Sequence, residues 1–293
     1  MKKNTPQQLQ HEPVLLANTL EILAPKQGET YLDLTAGYGG HAKAVIDRVG
    51  AASLATLVDR DDMAIASLQP LAQMGARILH TDFYSAAKQL QEEGQQFDMI
   101  LADLGVSSPQ FDIAERGFSI RESGPLDMRM DRREATDAAT LINELSVDDL
   151  AQIIKRYGEE PQAKRIAQAI ADARPITTTE QLKAVINTTI FKHKALDATV
   201  RTFQALRIAV NRELELIEQT LQIIPDLLKP GGRVAIISFH SLEDRLVKRF
   251  FQEEANAGYE ARLKVITKTP IAGNIHDVYN PRARSAKLRA AVK

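Results

Sequence analysis

An α/β fold built on a parallel sheet and interrupted by an all-helical insertion is predicted by three features of this 293-residue sequence. Short apolar runs of the continuous, doubly buried kind recur from Thr30 onward. They alternate with stretches of helical period, and a glycine-rich turn joins the first run to the first such stretch. The alternation then stops between Leu104 and Arg233, a gap far longer than the few residues usual in an α/β connection.

The strands expected from these runs are Thr30 to Ala36, Leu54 to Asp59, Arg77 to Thr81, Phe97 to Leu104 and Arg233 to Phe239, with helices at about Gly40 to Val49 and Asp62 to Met74. Inside the gap, Ser146 with Asp149 opens a helix from Val147 to Arg156 that stops at Gly158. Glu160 to Arg174 carries Ala163, Ile166, Ala167 and Ile170 at helical spacing and ends before Pro175. Thr178 with Gln181 begins another helix, Glu180 to Ile190. From Thr199 to Leu221 a single stripe of Phe203, Leu206, Val210, Leu214 and Ile217 predicts one long helix back to the sheet. Lys229 to Arg233 is a turn, and Ser241 is the expected cap of the helix after the fifth strand. Arg262 to Lys268 and Ser285 to Val292 are two further strands, expected to close the sheet as an antiparallel pair. The domain limits that follow are 1–110 and 209–293 for the two parts of the sheet domain and 111–208 for the insert.

With 44% apolar residues the chain can bury a sizeable core. It has no cysteine, which removes disulfides, thiolate metal sites and sulfur nucleophiles. A net charge of −1 argues against nonspecific coating of nucleic acid, which needs a broadly basic surface. Basic residues are nonetheless concentrated locally: Arg282, Arg284, Lys287, Arg289 and Lys293 form an acid-free final segment, either a solubilising tail or a contact surface. Met1 to Gln10 lacks the apolar core of a signal peptide and no window approaches a membrane span, so a cytoplasmic protein is expected. The histidines show no metal-ligand spacing, and no metal site is expected.

The first strand runs into Asp33-Leu-Thr-Ala-Gly37-Tyr-Gly39-Gly40-His41, a turn that lets a ligand approach backbone closely. Asp59 ends the second strand 22 residues after Gly37, the spacing at which an acid meets ribose hydroxyls in nucleotide-binding α/β folds. An acid before a G-x-G-G-H loop repels pyrophosphate and suits a cationic ligand bearing an amino group, which favours S-adenosylmethionine over a dinucleotide. The alternative is a turn that serves helix packing alone. Phe83, after Thr81 and Asp82, stands where a ring packs on adenine, or is simply core. The fourth strand ends Leu101-Ala-Asp103 and continues Leu-Gly-Val-Ser107-Ser108-Pro109-Gln110-Phe111. An exocyclic base amine is a poor nucleophile, and Asp103, Ser107, Ser108 and the carbonyls around Pro109 offer acceptors for its hydrogens. Phe111 offers a stacking ring. A Ser-Pro turn with an incidental acid is the competing structural reading. His240, in the polar run Ser238 to Asp244, either borders the cleft or caps a helix.

Nine blocks of sequence resemble the RsmH (MraW) family of 16S ribosomal RNA cytosine-N4 methyltransferases nearly end to end. They are His11-Glu-Pro-Val-Leu-Leu16, Gly37 to His41, Asp103 to Gln110, Glu115-Arg-Gly-Phe-Ser119, Gly124-Pro-Leu-Asp-Met-Arg-Met-Asp131, Tyr157-Gly-Glu-Glu160, Arg201-Thr-Phe-Gln-Ala-Leu-Arg-Ile208, Ile237 to Arg245 and Asn280-Pro-Arg-Ala-Arg-Ser285. Tyr38 and Ala42 depart from the common pattern. The resemblance implies a class I, Rossmann-like S-adenosylmethionine-dependent methyltransferase sheet with a helical insert, acting on a decoding-centre cytidine of 16S rRNA within the small ribosomal subunit, with a homodimer left open. Carried over by motif, the cofactor residues are Gly39, Gly40, His41, Asp59, Phe83, Asp103 and Gln110; the catalytic candidates remain those read from the end of the fourth strand, Asp103, Ser107, Ser108 and Pro109. The insert, through Arg116, Arg121, Arg129 and Arg133, is the expected RNA-facing surface.

Overall fold

A computed structural model describes residues 13–293, so His11 and Glu12 of the first quoted block lie outside the described residues, as does the side chain of Ser108. The chain folds into two compact units. The first comprises residues 1–59, 63–104 and 219–293, and the second residues 60–62 and 105–218. The insert therefore starts at Gly105 and ends at Glu218, wider than the 111–208 expected, because the loop after the fourth strand and the start of the returning helix pack with the inserted helices.

In the first unit, β1 (Tyr31–Asp33), β2 (Ala55–Asp59), β3 (Arg77–His80), β4 (Phe97–Asp103) and β5 (Leu228–Ser238) form a parallel sheet. β8 (Lys287–Val292) joins it antiparallel to β5, while β6 (Lys264–Val265) and β7 (Ile271–Ala272) both pair antiparallel with β8. The order is β3-β2-β1-β4-β5-β8-β6. After β3 the chain returns to the other side of β1, so the order reverses between β1 and β4, the place where ligands bind in open α/β sheets. β5 is longer than expected because its ladder skips from Leu228 to Arg233, leaving the Lys229–Gly232 turn as a bulge with Gly231 at φ 78°.

The central strands β1, β2 and β4 are buried on both faces, as their unbroken apolar runs require, while the edge strand β3 is only partly covered. Tyr31, Leu57, Met99, Leu101, Ala235 and Leu288 share one core with Val45 and Val49 of α2 (Gly40–Val49). Two helices of this unit lie outside the sequence expectations. α1 (Leu16–Leu23) lies between left-handed Leu15 and Ala24 without a side-chain cap. α3 (Asp62–Gln73) was expected, but α4 (Phe83–Glu92) was not: Asp82 caps it by accepting from the amides of Tyr84 and Ser85.

The second unit holds α5 (Ser108–Asp112), α6 (Ala138–Glu144), α7 (Val147–Gly158), α8 (Ala163–Asp172), α9 (Thr179–Thr189) and α10 (Lys192–Asn211), and the first turns of α11 (Glu213–Leu227). Ser146 and Thr178 cap α7 and α9 as expected. The glycine stop of α7 is corrected: Glu159, not Gly158, takes the left-handed position at φ 50°. Gly158 instead permits close helix packing, since a Cβ there would meet the Arg201 carbonyl oxygen of α10 at 2.5 Å. The single long helix from Thr199 to Leu221 is also corrected to two. Arg212 adopts φ 51° between α10 and α11, and the apolar stripe runs on through this break, so periodicity could not reveal it. After β5 comes α12 (Ser241–Asn256), capped by His240 rather than Ser241, and the tail adds α13 (Gly273–His276). Among the described residues no helix is long and apolar enough to cross a membrane.

Candidate functional site

In the first unit the expected residues gather at the carboxyl ends of the parallel strands. Asp33 ends β1, and Tyr31, which shares its strand face, donates its hydroxyl to Asp33 Oδ2 at 2.8 Å. The Thr35 amide donates to Asp33 Oδ1 at 3.2 Å. One residue further on, the Ala36 amide bonds to the Val58 carbonyl, drawing the glycine loop across the end of β2. Asp59 ends that strand and accepts the Gly37 amide at 2.8 Å. Gly39 then turns at φ 81° into α2, and a Cβ on Gly40 would strike Pro13 Cγ at 2.5 Å. The loop is thus pinned from both sides by its neighbours, with glycine required at two of its positions.

His41, in the first turn of α2, is buried. Its Nε2 lies 3.1 Å from the Val14 carbonyl oxygen. A carbonyl only accepts, so Nε2 carries the hydrogen and Nδ1 presents a lone pair. Burial pushes the imidazole down to about 4, so this neutral form holds at pH 7. Nδ1 faces Asp103 Oδ2 at 3.7 Å. Asp103 ends β4 and its amide donates to Thr35 Oγ1 at 2.6 Å, while Oδ1 is buried without a hydrogen-bond partner. Burial, followed by the charges of Asp33 and Glu243, holds the Asp103 carboxyl well above the usual range. Burial likewise lifts Asp33 to about 7. The arrangement gathers carboxyl groups that burial makes costly to ionise, a ready partner for a cation.

Glu243 was not anticipated at the site. It is fully buried in the first turn of α12 and accepts the amides of Phe239 at 2.7 Å and His240 at 3.2 Å. The capping-box spacing from His240 to Glu243 was the signal that could have found it. His240 is the helix cap, and the Glu243 amide approaches its Nδ1 at 3.4 Å. Phe83 is half-buried in the first turn of α4, past the end of β3. Asp82 beside it is occupied as the cap of that helix, with Ser85 Oγ on its second oxygen.

In the second unit, Ser107 precedes α5 and Pro109 lies in its first turn, where a missing amide hydrogen costs nothing. Ser107 Oγ is buried without a hydrogen-bond partner. Gln110 is engaged at both ends of its amide: Oε1 accepts the Ser107 amide at 2.9 Å and Nε2 donates to Asp61 at 2.7 Å. Phe111 is exposed and meets Phe118 edge-on at 6.3 Å between centroids.

The expected row of RNA-facing arginines is corrected. Arg116 is only 3% exposed, bonded to Asp61 at 2.7 Å and to the carbonyls of Arg129 and Met130. Arg129 is clamped by both oxygens of Asp127, and Arg133 by both of Asp131. These guanidiniums satisfy turn geometry, and of the four only Arg121 and Arg133 are exposed.

The profile described as the MraW methylase family matches residues 8–293. A protein named ribosomal RNA small subunit methyltransferase H from Trichlorobacter lovleyi is 46% identical over 310 residues, covering 98% of this chain and 99% of its own. One of the same name from Synechocystis sp. is 45% identical, covering 97% and 93%. Among solved structures, TrmN from Thermus thermophilus aligns with a TM-score of 0.44 at 13% identity, covering 95% of this chain and 48% of that one. An rRNA methylase from Streptococcus thermophilus aligns at 0.39 and 12% identity, covering 95% and 93%.

Proposed function

We propose that this chain, which belongs to the MraW methylase family, transfers a methyl group from S-adenosylmethionine to N4 of a specific cytidine in the decoding centre of 16S rRNA. The protein is a methyltransferase, and the finer statement of base, atom and location rests on the family resemblance, with which the chemistry of its site agrees. The observation that carries it is Asp103: a half-buried carboxylate beside the switch in strand order, one oxygen turned to His41 and the other buried without a hydrogen-bond partner.

The donor supplies a methyl group on a positively charged sulfur. The residues fit such a ligand, because burial and then the charges of Asp33 and Glu243 raise the cost of ionising Asp103, and a cation placed beside it relieves that cost. Gly39, Gly40 and His41 would hold its amino acid portion, Asp59 its ribose and Phe83 its base. Gln110 is assigned to the same set through the backbone it fixes at Ser107.

The chain's part in the reaction is to orient the amine and take a proton. A cytosine N4 lone pair is delocalised into the ring, so hydrogen-bond acceptors held against its hydrogens favour the attacking geometry. In the sheet unit Asp103 Oδ1 is the unpartnered acceptor for this task; in the second unit Ser107 is assigned the same role by its motif, and Pro109 fixes the turn that carries the carbonyl before it. When N4 becomes tetrahedral it must lose a hydrogen, which Asp103 accepts, with the His41 Nδ1 lone pair behind it. No cysteine is available to add to the base, so attack is direct. A base that must enter such a site leaves its stack, which suits a partly single-stranded stretch of RNA in the small subunit. The cytoplasm is the compartment that supplies it.

Replacing Asp103 by Ala tests the assignment. The variant should unfold at the wild-type temperature or above and transfer no methyl group to small ribosomal subunits; full activity would remove Asp103 from the site.

A further inference from the structure

The geometry points to a second RNA-contacting surface, formed by residues 275–284 of the sheet unit, that receives the strand flanking the target nucleotide. The proposal rests on the rRNA reading above and adds to it a surface outside the helical insert.

Its position follows from the sheet. Lys287, the first residue of β8, pairs with Ser238, the last of β5, so the segment leading into β8 starts at the edge where the carboxylates gather. It is firmly held there. Asp277 accepts the Leu15 amide at 2.8 Å, next to Val14, whose carbonyl meets His41. The Gly273 amide bonds to the Ala286 carbonyl at 2.9 Å, and Ala283 and Ala286 are buried in the core. Asn280 caps the following turn through the Arg282 amide at 3.2 Å.

A segment so anchored would ordinarily turn apolar side chains inward. Here Tyr279 is 97% exposed, Ile275 68% and Val278 60%, a concentration of apolar surface that marks a contact site rather than a tail. The charge around it selects the partner. Residues 262–293 contain eight Lys and Arg against a single acid, of which Arg262 pairs with Glu254 and both Lys287 and Arg289 with Asp244. That acid, Asp277, is spent on the Leu15 amide, and within the segment Arg284 stands exposed, five residues after Tyr279. An aromatic ring in open solvent beside cations is the pattern that stacks an unpaired base and contacts its phosphates.

The test uses the full chain and unmethylated small ribosomal subunits, with Tyr279→Ala, Arg284→Glu and the conservative Tyr279→Phe. Methyl transfer at varied subunit concentration should show KM raised roughly tenfold by Y279A and R284E with kcat within about twofold, and near wild-type values for Y279F. The dependence of log KM on log salt should flatten by about one for R284E. Calorimetric affinity for S-adenosylmethionine should be unchanged in all three. Unchanged KM in Y279A and R284E, beside a wild-type chain that methylates, overturns the surface and leaves the reaction standing. A raised KM with an undiminished salt slope overturns RNA as the partner in favour of a ribosomal protein. A wild-type chain that methylates no subunit overturns the reaction, and this surface with it.

Discussion

Asp33 and His41 are shifted in opposite directions by burial, and their signs set the protein's response to pH. His41 is depressed from 6.5 to about 4 in the fold, so its contribution to stability is present above pH 6.5 and is lost as pH falls toward 4. Asp33 is raised from 3.8 to about 7. Its contribution is present below pH 3.8 and is lost as pH climbs to 7. The two slopes oppose each other over most of this range, and above pH 6.5 only the carboxyl side remains, reinforced by Asp103. Thermal unfolding of the cofactor-free chain should therefore show Tm falling between pH 6.5 and 8, with a shallower fall in Asp33→Asn and an added rise when S-adenosylmethionine neutralises the pocket. A Tm that climbs over that window would contradict the assignment. Asp59 acts on the loop directly through the Gly37 amide. Charge-assisted bonds of this kind contribute roughly 1.5–3 kcal/mol, so Asp59→Ala should weaken calorimetric binding of S-adenosylmethionine by about ten- to a hundredfold.

At the scale of elements, two contacts decide whether the inserted unit holds together. A methyl group at position 158 would press on the Arg201 carbonyl and on Ala205, driving α7 from α10. Gly158→Ala should cost roughly 1–3 kcal/mol in chemical denaturation, despite its better helix propensity. Arg116 and Asp61 form a buried ion pair at 2.7 Å, reinforced by Gln110. Arg116→Ala leaves Asp61 buried without its cation and should cost about 3–5 kcal/mol. The same elements show what sequence can convey. α7 and α9 were legible because their caps are local, a hydroxyl reaching an amide three residues on. The break at Arg212 was not, since it lies in one backbone angle while the apolar stripe passes through it. The role of Asp82 was not legible, because a capping acid and a binding acid at a strand end look alike in one dimension. Arg116 misled for a related reason: its burial depends on Asp61, a partner far away in the chain.

For the whole molecule, the strands could be read from their apolar runs but their order could not. Only the return of β4 to the far side of β1 brings Asp33 and Asp103 onto adjacent strand ends and so creates the carboxylate pocket. The reach of Glu243 into that pocket was hidden for the same reason, since β5 and α12 follow the long insertion. Family resemblance located Gly39, Gly40, His41, Asp59, Phe83, Asp103 and Gln110 as a set, and the fold supplies the reason the first-unit members of that set belong together. The account as a whole is tested most directly by the identity of its product. Purified chain, tritium-labelled S-adenosylmethionine and small subunits that lack the modification should yield, after digestion to nucleosides, label that migrates as N4-methylcytidine and is missing from the Asp103→Ala reaction. Label on a ring carbon, on ribose or on any other base, or none at all from the wild-type chain, would contradict it.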